Sequence, residues 1–135
     1  MGYVVSGGGA GPGPQASTVE ADPQITTTSS TYIDLTDMSI TITTGANDIL
    51  LIFDAMASST VANDNINVVF GVDAVDETEQ HSEYVQSTTG TGTFVHSQIY
   101  TATAASHTFK VRWRRQTGTG TIAFDQRKFI VIELR

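Results

Sequence analysis

The sequence contains no cysteine, which removes disulfides, thiolate nucleophiles and cysteine-ligated zinc in one step. Stability must then come from packing within the chain and against neighbouring subunits. A small domain without disulfides fits a bacterial cytoplasm, or a particle assembled there, better than a secreted scaffold. Long apolar runs are missing too. No window approaches the roughly 18–20 apolar residues of a membrane span, so no membrane partner is expected. Met1-Gly2-Tyr3-Val4-Val5-Ser6 has neither a basic segment nor a long apolar run, so no secretory signal is read there.

Positive charge is scarce and segregated. All seven basic residues lie between Lys110 and Arg135, beside two acids, while residues 1–109 hold twelve acids and no Lys or Arg. Basic strands can pair with acidic ones inside one domain, or basic and acidic faces can meet across a subunit interface. With a net charge of −7, nucleic acid is not an expected partner, because phosphate would be repelled.

What remains is rich in Thr, Ser and Gly, a balance that suits β-branched strands joined by small polar turns. At 135 residues the chain reads as one domain. Residues 1–24 stand apart. Gly7-Gly8-Gly9-Ala10-Gly11-Pro12-Gly13-Pro14 can form neither a helix nor a central strand. It reads as an extended arm that needs a partner surface to hold a fixed place.

Residues 25–135 read as the domain, and there the period is two. Met38, Ile40 and Ile42 share one face of a strand, and Phe109, Val111 and Trp113 alternate with Lys110, Arg112 and Arg114. Ile49-Leu50-Leu51-Ile52-Phe53 is continuous and reads as a central strand buried on both faces. Thr117-Gly118-Thr119-Gly120 reads as a hairpin turn before Thr121–Phe124, and Lys128–Leu134 as the last strand. Asp73 to Glu79 reads as an acidic loop. About eight strands and no capped helical period predict an all-β, antiparallel β-sandwich of jelly-roll type.

No catalytic constellation emerges, and the expectation is that the chain is not an enzyme. His81, His96 and His107 fall on separate strands and read as surface or strand-edge residues rather than metal ligands. The acidic loop lacks the spacing of a calcium loop. The glycine-rich arm has no lysine after it and no strand-to-helix context, so it is no phosphate loop. No Gly-x-Ser-x-Gly elbow is present. No cofactor and no metal are expected. Trp113, among arginines, is expected to lie under a guanidinium.

Three stretches carry a family resemblance: Leu35 to Gly45, Ser106 to Arg114, and Phe129-Ile130-Val131-Ile132-Glu133-Leu134. They resemble small virion proteins of tailed bacteriophages and the jelly-roll tips of phage fibres, similar in outline to tumour-necrosis-factor and complement-C1q folds. The resemblance implies a homo-oligomer, a trimer, on a virion. Its first implied role is a capsid decoration (cement) protein whose partner is the major capsid protein or another virion protein. The alternative is a receptor-binding fibre or tail tip. It implies no catalytic residue. On either role, Tyr3, Val4, Val5, Pro12 and Pro14 are the expected anchoring residues of the arm. Ile49, Leu51, Phe53 and Trp113 are expected in the core or at the trimer seam.

Overall fold

The computed structural model describes residues 15–85 and 91–135. The expected anchoring residues Tyr3, Val4, Val5, Pro12 and Pro14 lie outside them. Nine strands run through the described residues: β1 (Ala16–Ala21), β2 (Ile25–Thr27), β3 (Ile33–Thr43), β4 (Asp48–Ser59), β5 (Asn65–Val72), β6 (Val75–Tyr84), β7 (Gly92–Thr101), β8 (Ser106–Thr117) and β9 (Ile122–Glu133). One sheet is ordered β1-β9-β4-β7, with β2 also on β9, and the other β3-β8-β5-β6. Every ladder is antiparallel.

The pairing is nested. β1 and β2 lie on β9, β3 on β8, β4 on β7, and β5 on β6. That is one long hairpin rolled into two facing sheets, which defines a jelly roll. Counting β1 and β2 as one strand interrupted at Pro23 gives the eight expected. The interruption follows from chemistry, since proline has no N–H to give the ladder.

Alternation sets the core. Ile49, Leu51 and Phe53 of β4, Phe109 and Val111 of β8, and Phe129 and Val131 of β9 are fully buried between the sheets. Trp113 is 2% exposed and stacks on Phe124 at 4.9 Å. The choice between core and seam for Ile49, Leu51, Phe53 and Trp113 therefore falls to the core for all four. β4 is central, between β9 and β7, yet only one of its faces is sealed: Leu50 and Ile52 stay half-exposed.

Three segments differ from their sequence reading. The boundary placed at residue 24 moves, because Ala16–Ala21 pairs in register with Arg127–Ile132 and belongs to the sandwich. Asp73 to Glu79 is not a loop. Asp73 and Ala74 take left-handed backbone, φ 50° and 69°, in a two-residue turn, and β6 starts at Val75. The last two expected strands are one. β9 runs from Ile122 to Glu133 past an irregularity opposite Asp54/Met56, where Gln126 has φ 46°. This bulge turns Arg127 inward; the buried guanidinium donates to the carbonyls of Pro23 and Phe124.

Candidate interaction surface

The two sheets show opposite chemistry to the outside. On the four-stranded sheet, β8 turns Lys110, Arg112 and Arg114 outward, and each meets a partner from a neighbouring strand or loop. Lys110 Nζ donates to Asp34 Oδ2 at 2.9 Å, and Arg112 Nη1 reaches both oxygens of Asp76 at 2.8 Å. Arg112 Nε lies 3.1 Å from Asp34 Oδ1. The Arg114 guanidinium covers the Tyr32 ring at 4.5 Å, and its Nε donates to Asn67 Oδ1 at 3.0 Å. Asn67 is fully buried and also accepts from the Tyr32 hydroxyl.

These pairs perturb one another. The Lys110 bond, aided by charge, holds the Asp34 carboxyl below the usual carboxylate range despite some desolvation. The Asp76 bond raises Arg112 further above its ordinary value. A cavity of about 250 Å³ between them is lined by Asp34, Gly71, Ala74, Asp76, Lys110 and Arg112. Its charges are already matched to each other. Pairing of basic with acidic strands inside one sandwich thus accounts for Lys110 and Arg112, and for Lys128, whose Nζ lies 3.1 Å from Glu20 Oε1. Trp113 lies under Phe124 rather than a guanidinium; the cation sits on Tyr32 instead.

The five-stranded sheet is different. Its outward positions include Leu50 and Ile52 on β4, Ile130 and Ile132 on β9, and Val95 and Ile99 on β7. Register makes five of them contiguous: Ile132, Leu50 and Ile99 form one row across three strands, and Ile130 and Ile52 pair in the next, while Val95 stands beside Asp54 beyond Ser97. Val95 and Ile99 are each 49% exposed. One row further, Glu20, Lys128 and Asp54 stand side by side. An aliphatic sheet face with a charged border is the kind of patch that marks an interaction site.

The histidines do not gather into one site. His96 and His107 are buried, 6% and 5% exposed, against the surface position expected for them. Each occupies an inward position of its strand, His107 on the face of Phe109, Val111 and Trp113 and His96 on that of Phe94, so the alternation itself was the signal that points them inward. His96 stacks on Phe70 at 4.6 Å, and its ring also lies near-parallel to His81 at 6.1 Å. Burial, with the His81 charge beside it, pushes the His96 imidazole down to about 4. Among the described residues no group of three or more His, Asp or Glu is placed to hold a metal ion.

His107 is a lock. Its Nδ1 lies 2.6 Å from Asp73 Oδ2 and its Nε2 3.0 Å from the Thr103 carbonyl oxygen. The Asp73 carboxylate and the Thr103 carbonyl only accept, an arrangement that favours the doubly protonated ring. The Thr103 hydroxyl also lies near, 3.3 Å from Nε2, so the ring is held at both nitrogens. The Asp73 bond raises His107 above its ordinary value, and the Thr108 amide with His107 lowers Asp73.

The signs define a pH window. The raised histidine stabilises the fold fully below about pH 6.5 and loses that contribution as pH rises through its folded pKa. The lowered Asp73 contributes above about pH 3.9 and is lost as pH falls through its folded value. Between about pH 6 and pH 9, the wild type should lose more stability than His107→Gln does. His96, shifted the opposite way, is common to both proteins and cancels. Urea midpoints at the two pH values check this; equal pH dependence in both proteins would rule out the doubly protonated ring.

No protein-family model matches the chain, and no curated protein matches it. Solved structures match its fold. The latent PorU dimer of Porphyromonas gingivalis aligns with a TM-score of 0.58 at 5% identity, over 89% of this chain and 13% of that one. VP2 of infectious bursal disease virus, in a subviral particle, aligns at 0.55 and 12% identity, over 88% and 32%. The insecticidal delta-endotoxin Cry8Ea1 of Bacillus thuringiensis aligns at 0.50 and 11% identity, over 83% and 20%. This chain spans a third or less of each of these proteins. The jelly roll is what they share, and viral capsid proteins are among its carriers.

Proposed function

We propose that the chain is a structural virion protein of a tailed bacteriophage, a decoration protein that binds the outer shell and stabilises it. The observation that carries the assembling part of this reading is the aliphatic outer face of the five-stranded sheet, a surface suited to association rather than to solvent. The fold likeness to VP2 supports a structural virion role in outline only.

In this reading the work is mechanical, and no residue is asked to catalyse. The chain acts as a homo-oligomer, is assembled in the host cytoplasm and takes the major capsid protein as partner. Binding to the assembled shell, and not to its dissociated subunits, stabilises the shell by mass action. The arm, with Tyr3, Val4, Val5, Pro12 and Pro14, supplies the anchor, and several arms per oligomer raise avidity.

The test uses undecorated shells of the source phage. The full chain and a chain lacking residues 1–14 are each co-sedimented with them; this deletion leaves the β1 to β9 ladder intact. The full chain is expected to bind and to raise the temperature at which shells rupture. The shortened chain should bind about tenfold more weakly or worse. A full chain that stays in the supernatant overturns the reading.

A further inference from the structure

The outer face of the five-stranded sheet carries a charge pattern as well as an apolar one. Glu20, Lys128 and Asp54 occupy adjacent strands in one register row, β1, β9 and β4. The next outward row is Thr18, Ile130, Ile52 and Ser97, and the one beyond is Ala16, Ile132, Leu50 and Ile99. The sheet is thus charged at one end of this stretch and aliphatic along the two central strands at the other.

From this pattern we infer that two copies of the chain pair face to face through this sheet, about a two-fold axis running along the strands between β4 and β9. The pairing rests on the reading of the chain as an assembling structural protein, and names its self-contact. Such an axis sets each β9 position opposite the β4 position that shares its row. Lys128 then faces Asp54 of the second copy, and Asp54 faces its Lys128. Ile130 faces Ile52, and Ile132 faces Leu50. On the flanking strands Thr18 faces Ser97 and Ala16 faces Ile99, so polar meets polar and apolar meets apolar. Only Glu20 faces an unlike residue, Val95, and it does so at the rim, where Glu20 keeps its own bond to Lys128.

Two other placements fail on charge, and an axis between β1 and β9, which sets Lys128 against Glu20, leaves Ile130 facing Thr18 and Ile132 facing Ala16. An axis along β9 sets Lys128 against itself and Asp54 against Glu20, which is repulsive at both positions. An axis across the strands through the Ile130 row buries Lys128 against Ile132 and Asp54 against Leu50, leaving ions in apolar surroundings. A two-fold interface must be self-complementary, and only the axis between β4 and β9 satisfies both the charges and the aliphatic rows.

Where all four strands run side by side, β1 supplies six residues, and four strands at about 4.8 Å spacing by six residues at about 3.3 Å give a face on the order of 400 Å² in projection. That is about half of the ~800 Å² of accessible surface that each partner buries in a standard interface, so the contact is a small one whose register the charges must fix. Sheets packed this way align within about 30° of each other, so the rows stay in reach over the central strands.

The test is a charge exchange on the full chain, read as mass in sedimentation equilibrium. The wild type should be a dimer at micromolar concentration. Asp54→Lys and Lys128→Glu each place like charges opposite one another twice, and each alone should weaken self-association at least about thirtyfold. Mixed in equal amounts, the two variants restore both opposite-charge contacts and should form a heterodimer. That recovery also shows that neither variant has simply misfolded.

A wild type that is monomeric at high micromolar concentration would overturn the pairing. So would a mass of three chains, which returns the trimer, or a mixture that fails to recover while both variants keep the wild-type far-ultraviolet spectrum. The shell-binding assay is independent of this result. A monomer that binds shells sinks the pairing and leaves the virion reading standing, and a dimer that ignores shells does the reverse.

Discussion

Replacing Phe124 with alanine should cost about 3–5 kcal/mol of folding stability, the range for a fully buried aromatic truncated in a core. Phe124 is 0% exposed and stands where the two sheets meet. Its ring lies 5.4 Å from Phe53 and 5.3 Å from Phe94, both edge-on, and 4.9 Å from Trp113 in a stack. Phe53 and Phe94 belong to β4 and β7, and Trp113 belongs to the opposite sheet, so one ring ties three strands of one layer to the other layer. Each such aromatic pair adds about 0.5–1.5 kcal/mol beyond burial, which places the loss in the upper half of the range. A domain of this size has about 5–15 kcal/mol in total. Urea unfolding should show the midpoint falling steeply at unchanged slope, and Phe124→Leu should recover more than half of the loss. A loss below about 1 kcal/mol for the alanine variant would mean that this cluster is not the centre of the core.

How much of this was readable beforehand depends on where the two faces of a strand differ. On β8, Phe109, Val111 and Trp113 alternate with Lys110, Arg112 and Arg114, and the buried set follows directly from the period. The signal vanishes where both faces are apolar. Ile49 to Phe53 and Phe129 to Ile132 are continuous runs, so periodicity alone leaves open which of their residues point inward. That is why the run Ile49 to Phe53 reads as buried on both faces, while in the structure Leu50 and Ile52 reach the surface and Leu51 and Phe53 do not. A usable clue was present. Two unbroken runs in a chain of otherwise alternating strands imply a face that needs cover. The bulge at Gln126 and the burial of Arg127 left no such trace, because both depend on what β9 meets across the ladder. The same holds for the partner of His107, since Asp73 lies 34 positions away in the chain.

The turn Thr117-Gly118-Thr119-Gly120 was legible as a turn, but not for its structural reason, which is a carboxylate. Asp64 is fully buried; it accepts from Ser59 Oγ at 2.5 Å and from the Thr119 amide at 3.0 Å. Its own backbone carbonyl accepts from the Val85 amide at 2.9 Å. A Cβ on Gly118 would stand 1.7 Å from Asp64 Oδ1, and one on Gly120 2.3 Å from Oδ2. Gly118 also has φ 101°, a backbone state that other residues adopt only under strain. Gly118→Ala therefore combines about 1–3 kcal/mol of backbone strain with about 1–3 kcal/mol of overpacking. It also disturbs charge-assisted hydrogen bonds worth about 1.5–3 kcal/mol each. The total should be on the order of 4 kcal/mol or more, similar to Phe124→Ala but arising at the surface end of a hairpin. Asp64→Ala should be costly as well, because it strips the Thr119 amide of its acceptor, while Ser59 Oγ keeps the Thr121 carbonyl at 3.1 Å. The two losses share one cause, and Asp64→Ala removes the atoms that Gly118→Ala strikes. The double variant should therefore be more stable than the sum of the singles predicts, by at least about 1 kcal/mol. If chemical denaturation finds the three losses additive within about 0.5 kcal/mol, the glycine serves the turn's backbone alone and the carboxylate is not its reason.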